Sequence, residues 1–252
     1  MDGDWGKAWR PIFLIGLVGA GLWFAWPRLM GRLSWERVGP KPAAARQAVV
    51  LLHGFGAPSN DLVGLAEELA PQLPQTTFAV PAGPHSAGLG GRAWVPDFVA
   101  PSREEYVQRL AVEIDATSKK LWKLVDALRS SGLGCENIYL GGFSQGGRMA
   151  AEAALRAPEG CNLGGLIVMS GGGFNDAELP AGNGAPMRVL VAHGDRDSVV
   201  SSGAGMSLAR TLAAGGHTVR WLSFQGAHQI PPEVRTALPA FLNGEDVGAA
   251  LP

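Results

Sequence analysis

A serine that could act as a nucleophile lies in the sequence GFSQG at residues 142–146. This sequence fits the G-x-S-x-G pattern of a nucleophile elbow, in which a sharp turn raises the serine above a sheet and leaves no room for flanking side chains. The apolar run IYL precedes it and the helix-forming run GGRMAAEAALRA follows it. Because this is the strand-turn-helix setting that the chemistry needs, we predict that Ser144 is a nucleophile. A glycine-rich turn with a helix-capping serine is the alternative.

A serine hydroxyl needs a base to take its proton, and the base needs an acid to hold it. His228 follows the apolar run VRWLSF in the loop QGAHQIPPE, and it is the candidate base. The stretch HGDRDSVV offers two aspartates, and its spacing favours Asp197 because that side chain projects from the loop past the strand. Asp195 lies nearer the strand end and is the alternative, or it orders the loop. The chain order Ser144, Asp197, His228 resembles that of α/β-hydrolases and differs from those of chymotrypsin and subtilisin.

The other histidines are assigned weaker roles. His217 precedes the late strand, at the opposite edge of the sheet, and is interpreted as a solvated loop residue. His53 and His193 each end a predicted strand in a His-Gly pair, which favours a structural hydrogen-bonding role. His85 has no motif, and either interpretation is open.

Two backbone N–H groups are predicted to stabilise an oxyanion, since such donors are fixed before the reaction. One is that of Gln145, the residue after the nucleophile at the start of its helix. The other belongs to Phe55 in the sequence HGFG, which follows an early apolar run. A glycine turn with a buried phenylalanine is a compatible interpretation of HGFG.

Short apolar runs alternate with amphipathic stretches from Gln47 onward, which predicts one α/β domain with a doubly wound, mostly parallel sheet and helices on both faces. In such sheets chemistry occurs at the carboxyl ends of strands, where each candidate lies. Ser102 and Glu105 have the spacing of a capping box at the start of the longest helix. The predicted strands are 48–54, 76–83, 137–144, 163–172, 187–194 and 219–224, and the predicted helices are 60–69, 102–132, 145–156, 206–214 and 232–242.

An uncharged run, PIFLIGLVGAGLWFAWP, begins after Arg10, and five of the eight tryptophans fall in the first 35 residues. This predicts a single membrane helix at 11–30 after a tail at 1–10, with tryptophans at both interfaces. A cleaved signal peptide or a buried helix are alternatives. Five basic residues follow the run within residues 28–46 and favour a cytoplasmic domain, whereas an anchor of the signal type would place it outside. The predicted linker is 31–46, the catalytic domain 47–245 and the C-terminal tail 246–252.

The composition excludes some classes of protein. The 252 residues are 46% hydrophobic and 17% charged with a net charge of −1, which disfavours intrinsic disorder and a nucleic-acid partner. Two cysteines, Cys135 and Cys161, lack the spacing of a zinc site and are too few for a disulfide scaffold, so we expect no metal, cofactor or staple. They precede predicted strands, however. If these strands are neighbours, a disulfide is within reach and would indicate an extracytoplasmic domain. Two free thiols in loops are the alternative.

The sequences LLHGFGAPSNDL, GFSQGG, HGDRDSVV and GAHQIPPE together resemble the phospholipase/carboxylesterase family of α/β-hydrolases, which includes the acyl-protein thioesterases. The resemblance covers about residues 47–243, outside the predicted anchor. It implies a compact hydrolase without a large lid that acts on small substrates, namely esters or thioesters of short or medium acyl chains. It also implies the same nucleophile, acid, base and two oxyanion donors at Ser144, Asp197, His228, Phe55 and Gln145.

In that family the loop that corresponds to GGRAWVPDF often lines the acyl pocket, so the resemblance makes Trp94 a candidate substrate contact. The glycines of HSAGLGGRAWV depart from the family and leave chain-length preference open. A relative of dienelactone hydrolases or peptidases, and a non-catalytic binding protein on the same scaffold, remain alternatives. The oligomeric state is also open.

Overall fold

The computed structural model describes residues 31–172, 179–180, 182 and 186–251. The chain divides into two units, 1–32 and 33–252, and the sheet belongs to the second. The predicted tail at 1–10 and membrane helix at 11–30 lie outside the described residues, so the anchor stays a prediction. Within the described ranges, no helix is both long and apolar enough to cross a bilayer.

A central sheet of eight strands forms the middle layer of the described part of the chain, in the order β1-β3-β2-β6-β7-β8-β9-β10. The strands pair in parallel except at the two edges, where β1 and β10 are antiparallel to their neighbours. Strands β4 and β5 form a separate antiparallel hairpin. The strands are β1 Trp35–Val38, β2 Gln47–Leu52, β3 Thr76–Pro81, β4 His85–Ser86, β5 Arg92–Ala93, β6 Ile138–Phe143, β7 Gly165–Met169, β8 Arg188–Gly194, β9 Thr218–Phe224 and β10 Ala249–Ala250.

Helices cover both faces of the sheet, because the side chains of each inner strand alternate between two apolar cores. In β2, Val50 faces the core shared with the second, third and fourth helices, whereas Val49 faces the core shared with the first and fifth. This is the doubly wound α/β arrangement that the sequence predicts. The helices are α1 Val63–Leu69, α2 Arg103–Arg129, α3 Gln145–Leu155, α4 Ser202–Ala214 and α5 Pro232–Leu242.

The ends of the elements agree with local sequence signals. Helix α2 begins after Ser102, whose hydroxyl accepts a hydrogen bond of 3.1 Å from the N–H group of Glu105, as the capping spacing predicts. The two edge strands lie outside the predicted domain limits: β1 falls within the predicted linker 31–46 and β10 within the predicted tail 246–252. Both are short and largely exposed, so they carry little of the apolar pattern that reveals a strand.

A disulfide joins Cys135 to Cys161, with their Cα atoms 5.4 Å apart. Cys135 lies in a turn before β6 and Cys161 in the segment before β7, and these two strands are neighbours in the sheet. The expectation that no disulfide would hold the fold is therefore wrong. The alternative, that adjacent strands bring the two thiols within reach, is the one that the structure shows.

Candidate active site

A strained turn carries Ser144 between the end of β6 and the start of α3. Its φ of 54° and ψ of −122° lie in a region that residues other than glycine rarely adopt. Two backbone hydrogen bonds hold the turn: the N–H group of Ser144 donates to the carbonyl of Met169 at 2.9 Å, and that of Arg148 donates to the carbonyl of Ser144 at 3.1 Å. The serine is thus fixed at the carboxyl end of the sheet.

Glycines on both sides of the serine allow this turn to pack against the neighbouring strand. A Cβ atom at Gly146 would lie 2.2 Å from the carbonyl oxygen of Leu52, and one at Gly142 would lie 2.5 Å from the backbone of Gly146. Both distances are far shorter than van der Waals contact. Any larger residue at either position would therefore displace the elbow.

Asp197 and His228 are in direct contact. The Nδ1–H group of His228 donates to Oδ2 of Asp197 at 2.7 Å, while Oδ1 accepts two hydrogen bonds of 2.9 Å from the N–H groups of Val199 and Val200. Since a carboxylate can only accept, His228 carries its hydrogen on Nδ1 and its Nε2 is left as an acceptor. Burial would raise the pKa of the Asp197 carboxyl, but the hydrogen bonds from His228 and the two N–H groups outweigh burial, and the pKa lies below its ordinary value.

Asp195 has a different role in the same loop. Its Oδ1 accepts a hydrogen bond of 2.9 Å from the N–H group of Gly226, and it lies 3.6 Å from the exposed guanidinium of Arg196. The contact with Gly226 joins the loop after β8 to the loop that carries His228. The structure therefore places Asp197, and not Asp195, against the imidazole of His228.

His228 also lies beside the nucleophile elbow. Its ring centroid is 4.6 Å from that of Phe143, the residue before Ser144. In the described part of the chain, the hydroxyl of Ser144 makes no hydrogen bond to His228. Such bonds are often long in a free enzyme and shorten when substrate binds.

The loop after β2, at residues 54–57, lies against the serine and carries the candidate donor Phe55. A Cβ atom at Gly54 would be 3.5 Å from that of Ser144. Strand β5 holds the loop by two hydrogen bonds of 2.9 Å, from the N–H group of Gly56 to the carbonyl of Arg92 and from the N–H group of Arg92 to the carbonyl of Ala57. The N–H group of Phe55 makes no hydrogen bond within the described residues, and the first N–H groups of α3, including that of Gln145, have no partner inside their helix.

His53 is hydrogen-bonded to this loop. Its Nδ1–H group donates to the carbonyl of Gly54 at 2.7 Å, and its Nε2 accepts from the N–H group of Gly83 at 3.0 Å. Burial lowers the pKa of this imidazole, against the opposing effect of the bond to Gly54, so the ring is neutral near pH 7. This is the structural hydrogen-bonding role that the His-Gly pair suggests.

The indole of Trp94 is buried in this structure. The side chain is 0% exposed, and its Nε1–H group donates to the carbonyl of His53 at 2.8 Å. The ring packs beneath the loop that carries Phe55, and the contact with the acyl chain stays a prediction. A buried indole needs an acceptor for its N–H group, and the backbone of His53 supplies one.

The side chain of Gln145 has a role that the sequence analysis missed. Its Oε1 accepts from the N–H group of Trp94 at 2.8 Å, and its Nε2 donates to the carbonyl of Val95 at 3.1 Å. The amide therefore joins the start of α3 to the segment after β5. The glutamine of GFSQGG is the signal in the sequence, although it predicts only the backbone N–H donor.

This mostly parallel sheet with a strained serine turn, followed by aspartate and histidine loops in that order, defines an α/β-hydrolase. Residues 34–244 match the phospholipase/carboxylesterase family, and the chain belongs to that family. The resemblance predicted from the four motifs is thus confirmed.

Named relatives indicate the type of hydrolase. The chain is 27% identical over 238 residues to acyl-protein thioesterase 1 of Gibberella zeae, which covers 83% of this chain and 97% of the relative. It is 28% identical over 222 residues to a probable carboxylesterase of Oryza sativa subsp. japonica, covering 82% of each. The crystal structure of esterase PE8 superimposes with a TM-score of 0.73 and 32% identity, covering 84% of this chain and 99% of that one. The protein is an esterase or thioesterase type of hydrolase.

Proposed function

We propose that the protein hydrolyses esters or thioesters of short or medium acyl chains through an acyl-enzyme on Ser144. The observation that carries this proposal is the 2.7 Å hydrogen bond between His228 and Asp197, because it leaves Nε2 of His228 able to accept a proton. In the first step the hydroxyl oxygen of Ser144 attacks the acyl carbonyl carbon, and Nε2 takes the hydroxyl proton. Asp197 stabilises the imidazolium that forms.

The negative charge on the carbonyl oxygen is stabilised by the N–H groups of Phe55 and Gln145. When the tetrahedral intermediate collapses, the bond to the leaving group breaks and His228 gives its proton to the departing alcohol or thiol. Water then attacks the acyl-enzyme with His228 as base, and the carboxylic acid is released. Each turnover consumes one water molecule and regenerates the Ser144 hydroxyl.

The test is hydrolysis of p-nitrophenyl esters and matching thioesters over a range of acyl lengths. Ser144→Ala should lower kcat by at least about 10³-fold, since no nucleophile remains. Ser207→Ala, an exposed position on α4, is the matched control and should keep its activity. A fluorophosphonate probe should label Ser144 in the wild type and nothing in the variant.

Two results would contradict the proposal. Turnover by Ser144→Ala at the wild-type rate would exclude Ser144 as the nucleophile. A folded wild type that neither turns over any ester or thioester nor reacts with the probe would favour a non-catalytic binding protein on the same scaffold.

We also propose that residues 11–30 anchor the protein in a membrane, with the catalytic domain on the oxidising side. The uncharged run with flanking tryptophans supports the anchor, and the Cys135–Cys161 disulfide supports the oxidising side against the count of basic residues. The full chain should remain in the membrane fraction after an alkaline wash, and the double variant Ile15→Arg/Val18→Arg should not. Recovery of the wild type in the soluble fraction would contradict the anchor. Protection of the domain from external protease in right-side-out membrane vesicles would contradict the proposed side.

A further inference from the structure

We infer that His193 is a positioning residue that holds Asp197 in register with His228. His193 lies at the end of β8, four residues before Asp197, and its side chain is 0% exposed. The inference rests on the proposed function, since it assigns a role toward the acid of that mechanism.

One ring nitrogen of His193 lies close to both the carbonyl of Val200 and the carboxylate of Asp197. Nε2 lies 2.9 Å from the carbonyl oxygen of Val200 and 3.4 Å from Oδ2 of Asp197, the same oxygen that accepts from His228. Both neighbours are acceptors, so Nε2 carries the hydrogen. The Nε2–H group donates to Val200 and lies at the edge of hydrogen-bond distance from Asp197.

This bond closes the turn that presents the carboxylate. The N–H group of Val200 donates to Oδ1 of Asp197 at 2.9 Å, while the carbonyl of Val200 accepts from His193. Both polar groups of Val200 are therefore fixed, one to the acid and one to the strand. Without His193, the turn would still be held to the end of β8 by the 3.4 Å hydrogen bond from the N–H group of Asp197 to the carbonyl of Gly194, but Val200 would lose its bond to the strand.

The ring itself has no room to move. It is stacked on the indole of Trp221, with the ring centroids 6.1 Å apart and an angle of 11° between the planes. Helix α4 also passes so close that a Cβ atom at Gly205 would lie 2.2 Å from Nδ1 of His193. Nδ1 is buried and makes no hydrogen bond within the described residues. A ring packed in this way can act as a fixed donor, and a fixed donor defines where the acid points.

The first experiment removes the donor and then restores it. His193→Phe keeps an aromatic ring beside Trp221 but has no N–H group, and His193→Gln returns an amide donor at similar reach. With a p-nitrophenyl ester, His193→Phe should lower kcat about tenfold and leave KM within about twofold, because one orienting hydrogen bond is lost and no substrate contact changes. His193→Gln should recover most of that loss.

A double-mutant cycle separates positioning from general damage. If His193 acts through Asp197, His193→Phe should cost less than about twofold in kcat when Asp197 is already asparagine. The same tenfold loss in both backgrounds would overturn the inference. So would wild-type kcat in His193→Phe, provided that Ser144→Ala remains inactive; activity in Ser144→Ala would instead refute the proposed function.

A measurement on the unmodified protein covers the case in which His193→Phe does not fold. In ¹⁵N-histidine-labelled protein, the His193 ring should show its hydrogen on Nε2, and the His228 ring should show its hydrogen on Nδ1. Assignment comes from the spectra of His193→Gln and of a His228→Gln variant. A hydrogen on Nδ1 of His193 would remove the bond to Val200 and refute the inference, whatever the activity of the variants.

Discussion

Replacement of Asp197 by asparagine removes the charge of the acid while keeping its shape. In the wild type, Oδ1 accepts from Val199 and Val200, and Oδ2 accepts from His228. An asparagine has only one oxygen, and the two N–H groups need it, so the amide nitrogen would face Nδ1 of His228. Because that nitrogen donates, His228 would have to accept on Nδ1 and carry its hydrogen on Nε2. It could then no longer take the proton of Ser144.

The expected loss is large because the wrong tautomer stops general-base catalysis. The same change in a serine protease lowers kcat about 10⁴-fold, which corresponds to about 5.5 kcal/mol of transition-state stabilisation, and we expect a loss of that order here. KM should change little, since the Asp197 side chain is buried and lies behind His228. The effect should therefore appear in kcat.

Asp195→Asn is the matched control, two residues away in the same loop. An asparagine oxygen can still accept from the N–H group of Gly226, and only the exposed contact with Arg196 is lost, so kcat should stay within about threefold. Steady-state hydrolysis of a p-nitrophenyl ester, with thermal melting to verify folding, measures both variants. A greater loss in Asp195→Asn would exchange the roles of the two aspartates. Equal, small losses in both would refute the tautomer argument.

Three further predictions concern stability. Glu152 is 2% exposed and pairs with Arg148 within α3 and with Arg156 just after its end. In denaturant titrations, Glu152→Gln should lower the free energy of unfolding by about 3–5 kcal/mol. Arg156→Gln removes a partly exposed partner and should lower it by less than about 1 kcal/mol. Burial lowers the pKa of His217, so the unfolded chain binds a proton that the folded protein does not. The free energy of unfolding should therefore fall as the pH drops below about 6.5. His217→Asn should reduce the slope of that fall by up to about 1.4 kcal/mol per pH unit. Reduction of the Cys135–Cys161 disulfide, whose cysteines are 26 residues apart, should cost about 3–4 kcal/mol, and a double serine variant should not respond to reductant.

Each of these has a clear contrary result. Equal losses in Glu152→Gln and Arg156→Gln would show that burial does not determine how much each ion pair stabilises the fold. An unchanged pH slope in His217→Asn would show that another group titrates. Two free thiols in the unreduced wild type, counted by mass spectrometry, would exclude the disulfide and the argument for an oxidising compartment.

The inner strands and the elbow could be predicted because burial and chemistry both leave local signals. Strands β2, β3 and β6–β8 are nearly all buried, so their sequences are continuous apolar runs. Gly142 and Gly146 are required by the close approach to Leu52, and that requirement is visible as the G-x-S-x-G pattern. The edge strands lack such signals because they are short and largely exposed.

The contacts that organise the site could not be predicted, since they join distant parts of the chain. The side-chain oxygen of Gln145 accepts from the N–H group of Trp94, 51 positions away in the sequence. The indole of Trp94 donates to the carbonyl of His53, 41 positions away. The residue types show only that an amide and an indole can form hydrogen bonds, not with which partners. Only the family resemblance predicts that Trp94 contacts substrate, and no local signal indicates that its indole N–H group binds the carbonyl of His53.

The two His-Gly pairs show how far a local signal extends. Sequence position placed both imidazoles at strand ends, and the structure gives each one a different loop: the ring of His53 binds the carbonyl of Gly54, and that of His193 binds the carbonyl of Val200. The rings use opposite nitrogens as donors, which only their surroundings could determine. Because a site assembled from separate loops must be held in place before substrate arrives, a rigid buried donor at the end of each strand fixes the candidate oxyanion loop and the candidate acid independently. Replacement of His53 should therefore weaken the proposed stabilisation of the oxyanion while leaving the Asp197–His228 hydrogen bond intact.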